Sequence, residues 1–346
     1  MGWITATQAL SILNVRPQTL YANVSRGKIR AQPDRNDVRR SLYHHEDVLR
    51  MAKRQNGRRK VETVAAQAIE WGDPVLPSAL STVRDGRLWY RGRDAVALSG
   101  TASPEEIAAL LWESETAPFP YRNVAEPAAR GANGHGNALQ AGLVSLARRG
   151  ARDLPSTGRS MAALREEAAQ VLATLIMAMP GSGAACGDAT LSARLSSIWD
   201  RPDAEDAIRR ALVLLADHEL NASTFAVRVA ISTGASLAAG VLAGLASLTG
   251  PLHGGASIAL GALLESAGRL GVDIAVQEWL AQERALPGFG HPLYPDGDAR
   301  AVALLDGLPM PVLHDRLAEH VADAVGERPN IDFALVVIAE RYHLPA

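Results

Sequence analysis

The chain contains 346 residues, of which 47% are hydrophobic, 21% are charged and 5% are aromatic, and its net charge is −2. This composition is typical of a soluble globular protein and excludes a largely disordered chain. The single cysteine, Cys186, excludes an internal disulfide framework and a cysteine-based zinc site, and it predicts a reducing, cytoplasmic location. Abundant alanine and leucine favour packed helices over a β-sandwich.

The charge is unevenly distributed along the chain. Residues 1–60 contain 13 Lys or Arg residues and four Asp or Glu residues, whereas the remainder is acidic. This asymmetry predicts two modules with different partners. Two short helices, Thr5 to Leu13 and Pro17 to Val24, are predicted about three residues apart, which is the spacing of a helix-turn-helix.

The helix pair is followed by a basic segment, Arg26-Gly-Lys-Ile-Arg30, and by Tyr43-His-His-Glu-Asp47. Residues 3–55 thereby resemble the small winged helix-turn-helix of MerR-type regulators and phage excisionases. The resemblance implies DNA binding, in which basic side chains would contact phosphates. The candidate DNA-binding residues are Arg16, Gln18, Thr19, Tyr21, Arg26, Lys28 and Arg30. A basic extension that serves dimer contacts or solubility fits the same pattern, and residues 54–60 read as a polar linker.

The body of the chain is predicted to be mostly helical. Asp85-Gly86 between two short apolar runs predicts a β-hairpin, and Ser103-Pro-Glu-Glu106 predicts a capped helix start. Residues 117–136 are rich in Pro and Gly and read as a loop. Further helices are predicted at about 138–149, 160–178, 204–219 and 222–247. The uncharged stretch from Val229 to Leu264 is interrupted by Gly250-Pro251, so we expect buried helices and no membrane partner.

Chemically capable side chains occur in four segments. His218 lies in a polar cluster between two predicted helices, and His253 lies in the segment Gly250-Pro-Leu-His-Gly-Gly255. His291 follows a Gly-containing loop, Arg300 opens a helix nine residues later, and Asp332 precedes an apolar helix. Histidine and arginine donors suit a carbonyl or carboxylate substrate. Taken singly, each segment also fits a structural turn or a helix cap.

Taken in order, these segments closely resemble those of the citrate synthase family, which includes 2-methylcitrate synthases, over residues 74–346. The resemblance implies an all-α fold with a large and a small helical domain, here preceded by the winged helix-turn-helix-like module. The expected boundaries are 1–60 for the basic module, 61–250 with 333–346 for the large domain, and 251–332 for the small domain. It also implies a homodimer, with no bound cofactor and no metal.

The same resemblance implies the chemistry, a condensation of acetyl-CoA with oxaloacetate to citrate and CoA. Asp332 would remove a methyl proton, His253 would donate to the thioester oxygen, and His291 would polarise the ketone. His218 and Arg300 would hold the carboxylates of oxaloacetate. The residues expected along CoA are Leu286, Pro287, Gly288, Phe289 and Gly290.

The sequence departs from the family pattern in two places. Pro292 and Pro295 stand in a region where many members carry a basic residue for the CoA phosphates. The family also continues beyond the helix of Asp332 with substrate-binding arginines, whereas this sequence ends at Ala346. Alternatives to an active citrate synthase are a 2-methylcitrate synthase that uses propionyl-CoA, a DNA-binding regulator with a catalytically impaired body, and a degenerate partner of a full-length paralogue.

Overall fold

The structure, a computed structural model, divides the chain into two compact units, Met1–Val75 and Leu76–Ala346. It describes residues 2–13, 20, 23–24, 28–33, 41–49, 78–115, 138–179, 189–250, 253–282 and 285–345. The domain boundaries expected from the sequence at 60, 250 and 332 stay predictions. The predicted helical fold class is confirmed, with a small three-stranded sheet in each unit.

The N-terminal unit contains a three-stranded antiparallel sheet and a first helix. Strands β1 (Trp3–Thr5), β2 (Ala31–Pro33) and β3 (Ser41–His44) are arranged in the order β1-β3-β2. Helix α1 (Ala6–Leu13) starts where it was predicted, because Thr5 and Gln8 exchange reciprocal side-chain to backbone hydrogen bonds. The small core of this unit consists of Ala9, Leu13, Leu20, Ile29, Tyr43 and Val48. Most of the predicted second helix lies outside the described residues.

The second unit opens with the predicted hairpin. Strands β4 (Ser81–Arg84) and β5 (Arg87–Tyr90) pair antiparallel, and β6 (Arg93–Asp94) adds a short third strand. Asp85 and Gly86 both have positive φ values, 53° and 68°, as a two-residue type I′ turn requires. Leu88 and Tyr90 point into a buried cluster, so the hairpin is anchored to the helices that follow.

The two helices that follow the hairpin begin at side-chain caps. Helix α2 (Ala95–Ser99) is capped by Asp94, and α3 (Pro104–Trp112) has the predicted Pro104 and a capping box between Ser103 and Glu106. The next helices are α4 (Ala138–Gly150), α5 (Met161–Ala178), α6 (Leu191–Ile198) and α7 (Glu205–Leu214). The predicted loop over residues 117–136 lies outside the described residues.

Two predicted helix spans are wrong. The helix expected over 204–219 ends at Leu214. Asp217 and Glu219 instead form hydrogen bonds with β4, and Glu219 adopts a positive φ of 52°. The single helix expected over 222–247 is two helices, α8 (Ala222–Ser232) and α9 (Leu237–Ser247). Gly234 at φ +86° ends the first helix, and the Ser236 hydroxyl caps the second.

The remaining helices form the core that supports the loops of the candidate site. They are α10 (Ala256–Leu270), α11 (Val272–Leu280), α12 (Ala299–Leu305), α13 (Val312–Val325) and α14 (Ile331–Arg341). Residues of α10, α11, α13 and α14 share one buried apolar cluster that also contains Leu286 and Phe289. In the described part of the chain, no helix is both long and apolar enough to cross a membrane.

Candidate active site

Three aromatic side chains from two loops meet in the second unit. The imidazoles of His218 and His291 lie edge to face, with ring centroids 5.2 Å apart. The phenol ring of Tyr294 is 5.0 Å from His291, and its hydroxyl is 2.9 Å from Nε2 of His218. The structure therefore brings together two of the three histidines that the sequence analysis selected, and it adds a tyrosine that the analysis missed.

The loop that carries His291 and Tyr294 is shaped by glycine and by burial. Gly288 and Gly290 have positive φ values of 81° and 63°, and a Cβ atom on Gly288 would lie 2.8 Å from the Leu260 side chain. Phe289 is buried, with its ring 5.2 Å from that of Phe333. A side chain at Gly288 would collide with Leu260, so glycine at this position allows the loop to pack closely on α10 and α14.

Asn330 connects this loop to the helix of Asp332. Its backbone N–H donates to the Gly288 carbonyl and its Nδ2 donates to the Gly290 carbonyl, both at 2.9 Å. Its Oδ1 accepts from the N–H of Asp332 at 3.0 Å and so caps α14. One buried side chain thus fixes the position of His291 relative to Asp332.

Arg300 is held by a buried ion pair with Asp298. Its Nε and Nη2 donate to the two carboxylate oxygens at 3.0 and 2.8 Å, and the guanidinium lies 4.7 Å from the centroid of the Tyr294 ring. Asp298 also accepts from the N–H of Ile331. Burial opposes ionisation of Asp298, but these hydrogen bonds and the charge of Arg300 outweigh it and lower the pKa of Asp298. Nη1 is left without a partner among the described residues.

Both histidines of the ring cluster are neutral at pH 7. Burial, together with the charge of Arg300 and the neighbouring His291, lowers the pKa of His218 to about 3. Burial and Arg300 also lower the pKa of His291. Nδ1 of His291 accepts from the N–H of Leu293 at 3.1 Å, which places its own proton on Nε2. The site therefore offers uncharged hydrogen-bond donors.

Asp332 and His253 form the second part of the site. Burial raises the pKa of Asp332, while the charges of Arg300 and His253 lower it and that of Asp298 raises it. Nε2 of His253 is buried and has no hydrogen-bond partner within the described part of the chain. Its backbone N–H donates to the carbonyl of Gly250 at 3.0 Å. A buried carboxylate with a raised pKa and an imidazole nitrogen without a partner among the described residues are the kinds of group that suit proton transfer at carbon.

The hairpin fixes the loop that carries His218, which no sequence pattern indicated. The Ser81 hydroxyl donates to the carboxylate of Asp217 and accepts from the N–H of Glu219 at 2.8 Å. The Glu219 carboxylate accepts from the N–H of Val83 at 2.6 Å. Burial raises the pKa of Asp217. His218 is thus flanked by Asp217 and Glu219, which are both hydrogen-bonded to β4.

Comparison with known proteins identifies the family of the chain. Residues 69–346 match the family described as citrate synthase, C-terminal domain. The chain belongs to the citrate synthase family. This confirms the resemblance on which the site residues were selected, and the structure brings His218, His291, Arg300 and Asp332 of that selection together.

Individual citrate synthase relatives match over part of their length. Citrate synthase 2 of Bacillus subtilis is 40% identical over 97 residues, which are 28% of this chain and 26% of that protein. The 2-methylcitrate synthase of Mycobacterium tuberculosis is 33% identical over 141 residues, which are 37% of this chain and 35% of that protein. The chain therefore spans about a quarter to a third of the length of these curated relatives.

Solved citrate synthase structures share the fold. The crystal structure of citrate synthase from Thermotoga maritima has a TM-score of 0.65 at 25% identity, covering 80% of this chain and 84% of that chain. That from Pyrobaculum aerophilum has a TM-score of 0.62 at 22% identity, covering 79% and 81% of the two chains. These values support the helical fold class over most of the chain.

The remaining predicted site residues are placed as follows. In the segment expected along CoA, the side chains of Leu286 and Phe289 are buried in the core. In the N-terminal unit Lys28 is exposed, whereas Arg30 donates through Nε and Nη2 to Asp47 at 2.7 and 3.0 Å. These hydrogen bonds to Arg30 lower the pKa of Asp47. The candidates Arg16, Gln18, Thr19, Tyr21 and Arg26 lie outside the described residues. In the described ranges, no group of three or more His, Cys, Asp or Glu side chains has the geometry of a metal site.

Proposed function

We propose that the chain condenses an acyl-CoA thioester with oxaloacetate, releasing CoA and a hydroxylated tricarboxylate. The convergence of His218, His291 and Arg300 carries this proposal. The influence of the charges of Arg300 and His253 on the pKa of Asp332 supports it. CoA thioester and oxaloacetate are the substrates, and the reaction needs no resident cofactor or metal. Acetyl-CoA is the acyl donor that we favour, and propionyl-CoA is the alternative.

The first step is enolisation of the thioester. Asp332 removes a proton from the α-carbon, and the C–H electron pair forms the carbon–carbon double bond. The carbonyl electron pair moves onto the thioester oxygen, which His253 Nε2–H stabilises by a hydrogen bond. Burial makes Asp332 a stronger base than an exposed carboxylate, because it raises its pKa. A hydrogen-bond donor opposite the base is needed, because a carbon next to a thioester is only weakly acidic.

The second step forms the carbon–carbon bond. The α-carbon of the enolate attacks the ketone carbon of oxaloacetate, the thioester carbonyl re-forms, and the ketone C=O electron pair moves onto its oxygen. Nε2–H of His291 stabilises this alkoxide by a hydrogen bond, and the proton taken up by Asp332 balances its later protonation. The Leu293 N–H bond to Nδ1 supports this role, because it leaves the proton of the neutral ring on Nε2. Water then hydrolyses the thioester and releases CoA. Closure of residues 251–332 over the large domain would exclude water until the bond has formed.

The two substrates have separate binding groups. Nη1 of Arg300 and the ring of His218 would hold the oxaloacetate carboxylates. The segment Leu286 to Gly290 would lie along the CoA adenine. Because the side chains of Leu286 and Phe289 are buried, its contacts would come from the backbone and from Pro287. The buried Asp298 keeps the Arg300 guanidinium in one orientation.

Thiol release tests the proposal. The purified chain is incubated with oxaloacetate and either acetyl-CoA or propionyl-CoA, and the preferred donor separates a citrate synthase from a 2-methylcitrate synthase. Asp332→Asn keeps the size of the side chain and removes the base, so we expect turnover to fall by at least about a thousandfold. Asp323→Asn, an exposed carboxylate on α13, is the matched control. Absence of oxaloacetate-dependent thiol release from a folded wild type contradicts the proposal.

We also propose that the chain acts as a homodimer through α8. Apart from Arg228 this helix has no charged residue, yet none of its side chains is fully buried, and Val229 is 48% exposed. Gly240 and Gly244 allow α9 to pack closely on one side of α8, which leaves the other side for a second copy. Val229→Glu is expected to yield monomers in analytical ultracentrifugation, whereas Val312→Glu, at a more exposed position on α13, is not.

For the N-terminal unit we propose DNA binding in the cytoplasm. The excess of basic residues in 1–60 and the small sheet next to α1 support a winged helix-turn-helix. Its affinity for duplex DNA should fall steeply with salt, because phosphate contacts release counterions. Fluorescence anisotropy at two salt concentrations measures this, and an absence of binding at low salt contradicts it. Binding without thiol release would favour the regulator.

A further inference from the structure

Tyr294 contacts three of the groups to which the proposed function assigns a role. Its hydroxyl is 2.9 Å from Nε2 of His218, its ring is 5.0 Å from the ring of His291, and the Arg300 guanidinium lies 4.7 Å from its ring centroid. The side chain is 2% exposed. Because Tyr294 is buried and contacts all three groups, it can hold them in fixed positions relative to one another.

The hydrogen bond between Tyr294 and His218 has two conceivable directions. Either the phenol O–H donates to Nε2, or Nε2–H donates to the phenol oxygen. Within the described part of the chain, His218 is the only hydrogen-bond partner of the Tyr294 hydroxyl. In the second direction the buried phenol proton would have no acceptor, which is costly for stability, so the first direction is favoured.

The protonation states of both groups agree with the first direction. Burial raises the pKa of Tyr294, so its phenol is protonated and able to donate at neutral pH. Burial and the charge of Arg300 keep His218 neutral, so one of its ring nitrogens is an acceptor. An acceptor at Nε2 leaves the proton of His218 on Nδ1, which has no hydrogen-bond partner among the described residues.

We infer that Tyr294 is a positioning residue whose hydroxyl holds His218 in the tautomer with its proton on Nδ1, so that this N–H donates to a carboxylate oxygen of the oxo-acid substrate. The inference rests on the proposed function for the identity of that substrate. The ring of Tyr294 additionally supports the Arg300 guanidinium by a cation–π contact. The two histidines then have opposite tautomers, because Nδ1 of His291 accepts from a backbone N–H.

Tyr294→Phe tests the role of the hydroxyl, because it keeps the ring next to Arg300. Nitrogen-15 NMR of the full chain labelled at histidine reports the tautomer of His218 directly. The wild type should show Nε2 without a proton and Nδ1 with one, and the variant should show a mixture of the two tautomers. Tyr342→Phe is the matched control, since the Tyr342 hydroxyl has no hydrogen bond among the described residues. A proton on Nε2 in the wild type, or an unchanged tautomer in the variant, overturns the inference.

Calorimetric titration with oxaloacetate gives a second readout. We expect the Kd for oxaloacetate to rise roughly tenfold in Tyr294→Phe and to stay unchanged in Tyr342→Phe, because a directed hydrogen bond is lost only in the first. An unchanged Kd in Tyr294→Phe overturns the inference. The tautomer is measured without substrate, so a wild type that releases no thiol refutes the proposed function while the role of Tyr294 is still decided by NMR.

Discussion

Replacing Asn330 by alanine removes two separate kinds of contact. The substitution deletes the Oδ1 acceptor that caps α14 and the Nδ2 donor that holds the Gly290 carbonyl. Loss of an N-cap costs about 1 kcal/mol of unfolding free energy, and loss of a buried hydrogen bond costs about 1 kcal/mol more. Because Asn330 is only 7% exposed, water does not readily replace either contact. We therefore expect Asn330→Ala to lower the unfolding free energy by about 2 kcal/mol.

Two further variants separate these contributions. Ser160→Ala removes an exposed cap from α5 that has no second function, so it should cost only the cap, about 1 kcal/mol. Asn330→Ser retains an oxygen for the cap and loses the amide donor, so it should lie between the wild type and Asn330→Ala. Urea unfolding followed by circular dichroism gives the unfolding free energies. The reasoning is refuted if Asn330→Ala is no more destabilised than Ser160→Ala.

Three other predictions concern Asp298, Gly234 and the histidines of the ring cluster. Asp298→Asn should lower the unfolding free energy at pH 7. Folding lowers the pKa of Asp298, so the stability that its carboxylate contributes is present above the unfolded pKa near 3.8 and is lost as the pH falls. The unfolding free energies of variant and wild type, measured in urea, should therefore converge in acid. Gly234→Ala should be destabilised by more than about 1 kcal/mol, and by more than Gly158→Ala. Both glycines have a positive φ, but only a Cβ atom on Gly234 would clash, with the Thr157 hydroxyl. Thermal unfolding of the two variants checks this. Oxaloacetate should bind at pH 7 without net proton uptake. Calorimetry in buffers of different ionisation enthalpy measures the number of protons taken up. An uptake near one proton would contradict the neutral state of the two ring-cluster histidines.

Local features of the fold were predictable from a few consecutive residues. The hairpin at Asp85-Gly86 needs two positive φ values, and the start of α3 needs a hydroxyl at Ser103 and a carboxylate at Glu106. Both requirements are met within four residues of sequence. The boundary between α8 and α9 was missed, although it is formed by Gly234 and by the cap Ser236. The apolar pattern continues from one helix into the next and hides the boundary.

Long-range contacts of the site were not predictable in the same way. Ser81 and Asp217 are 136 residues apart, and Tyr294 and His218 are 76 residues apart, so neither pair leaves a periodic signal. The histidines, Arg300 and Asp332 were first noted as chemically capable side chains, and only their order, which resembles that of a family, joined them into one site. The partners that orient them are ordinary serine, tyrosine and asparagine residues, whose roles depend on where the chain folds back.

The charge of the site explains why these uncharged partners matter. Arg300 is offset by Asp298, and Asp332 adds a further negative charge, so the described groups do not attract a dianionic oxo acid by net charge alone. Protonation of the histidines would supply positive charge, but the acceptor nitrogen of His291 already faces the Leu293 N–H, and that of His218 faces Tyr294. Binding must then rely on directed donors, the two ring N–H groups and Nη1 of Arg300, rather than on titration. Such donors discriminate by geometry, because each must meet an oxygen at hydrogen-bonding distance. If the chain has the proposed function, the buried residues that orient the donors should therefore affect substrate affinity as directly as the donors themselves.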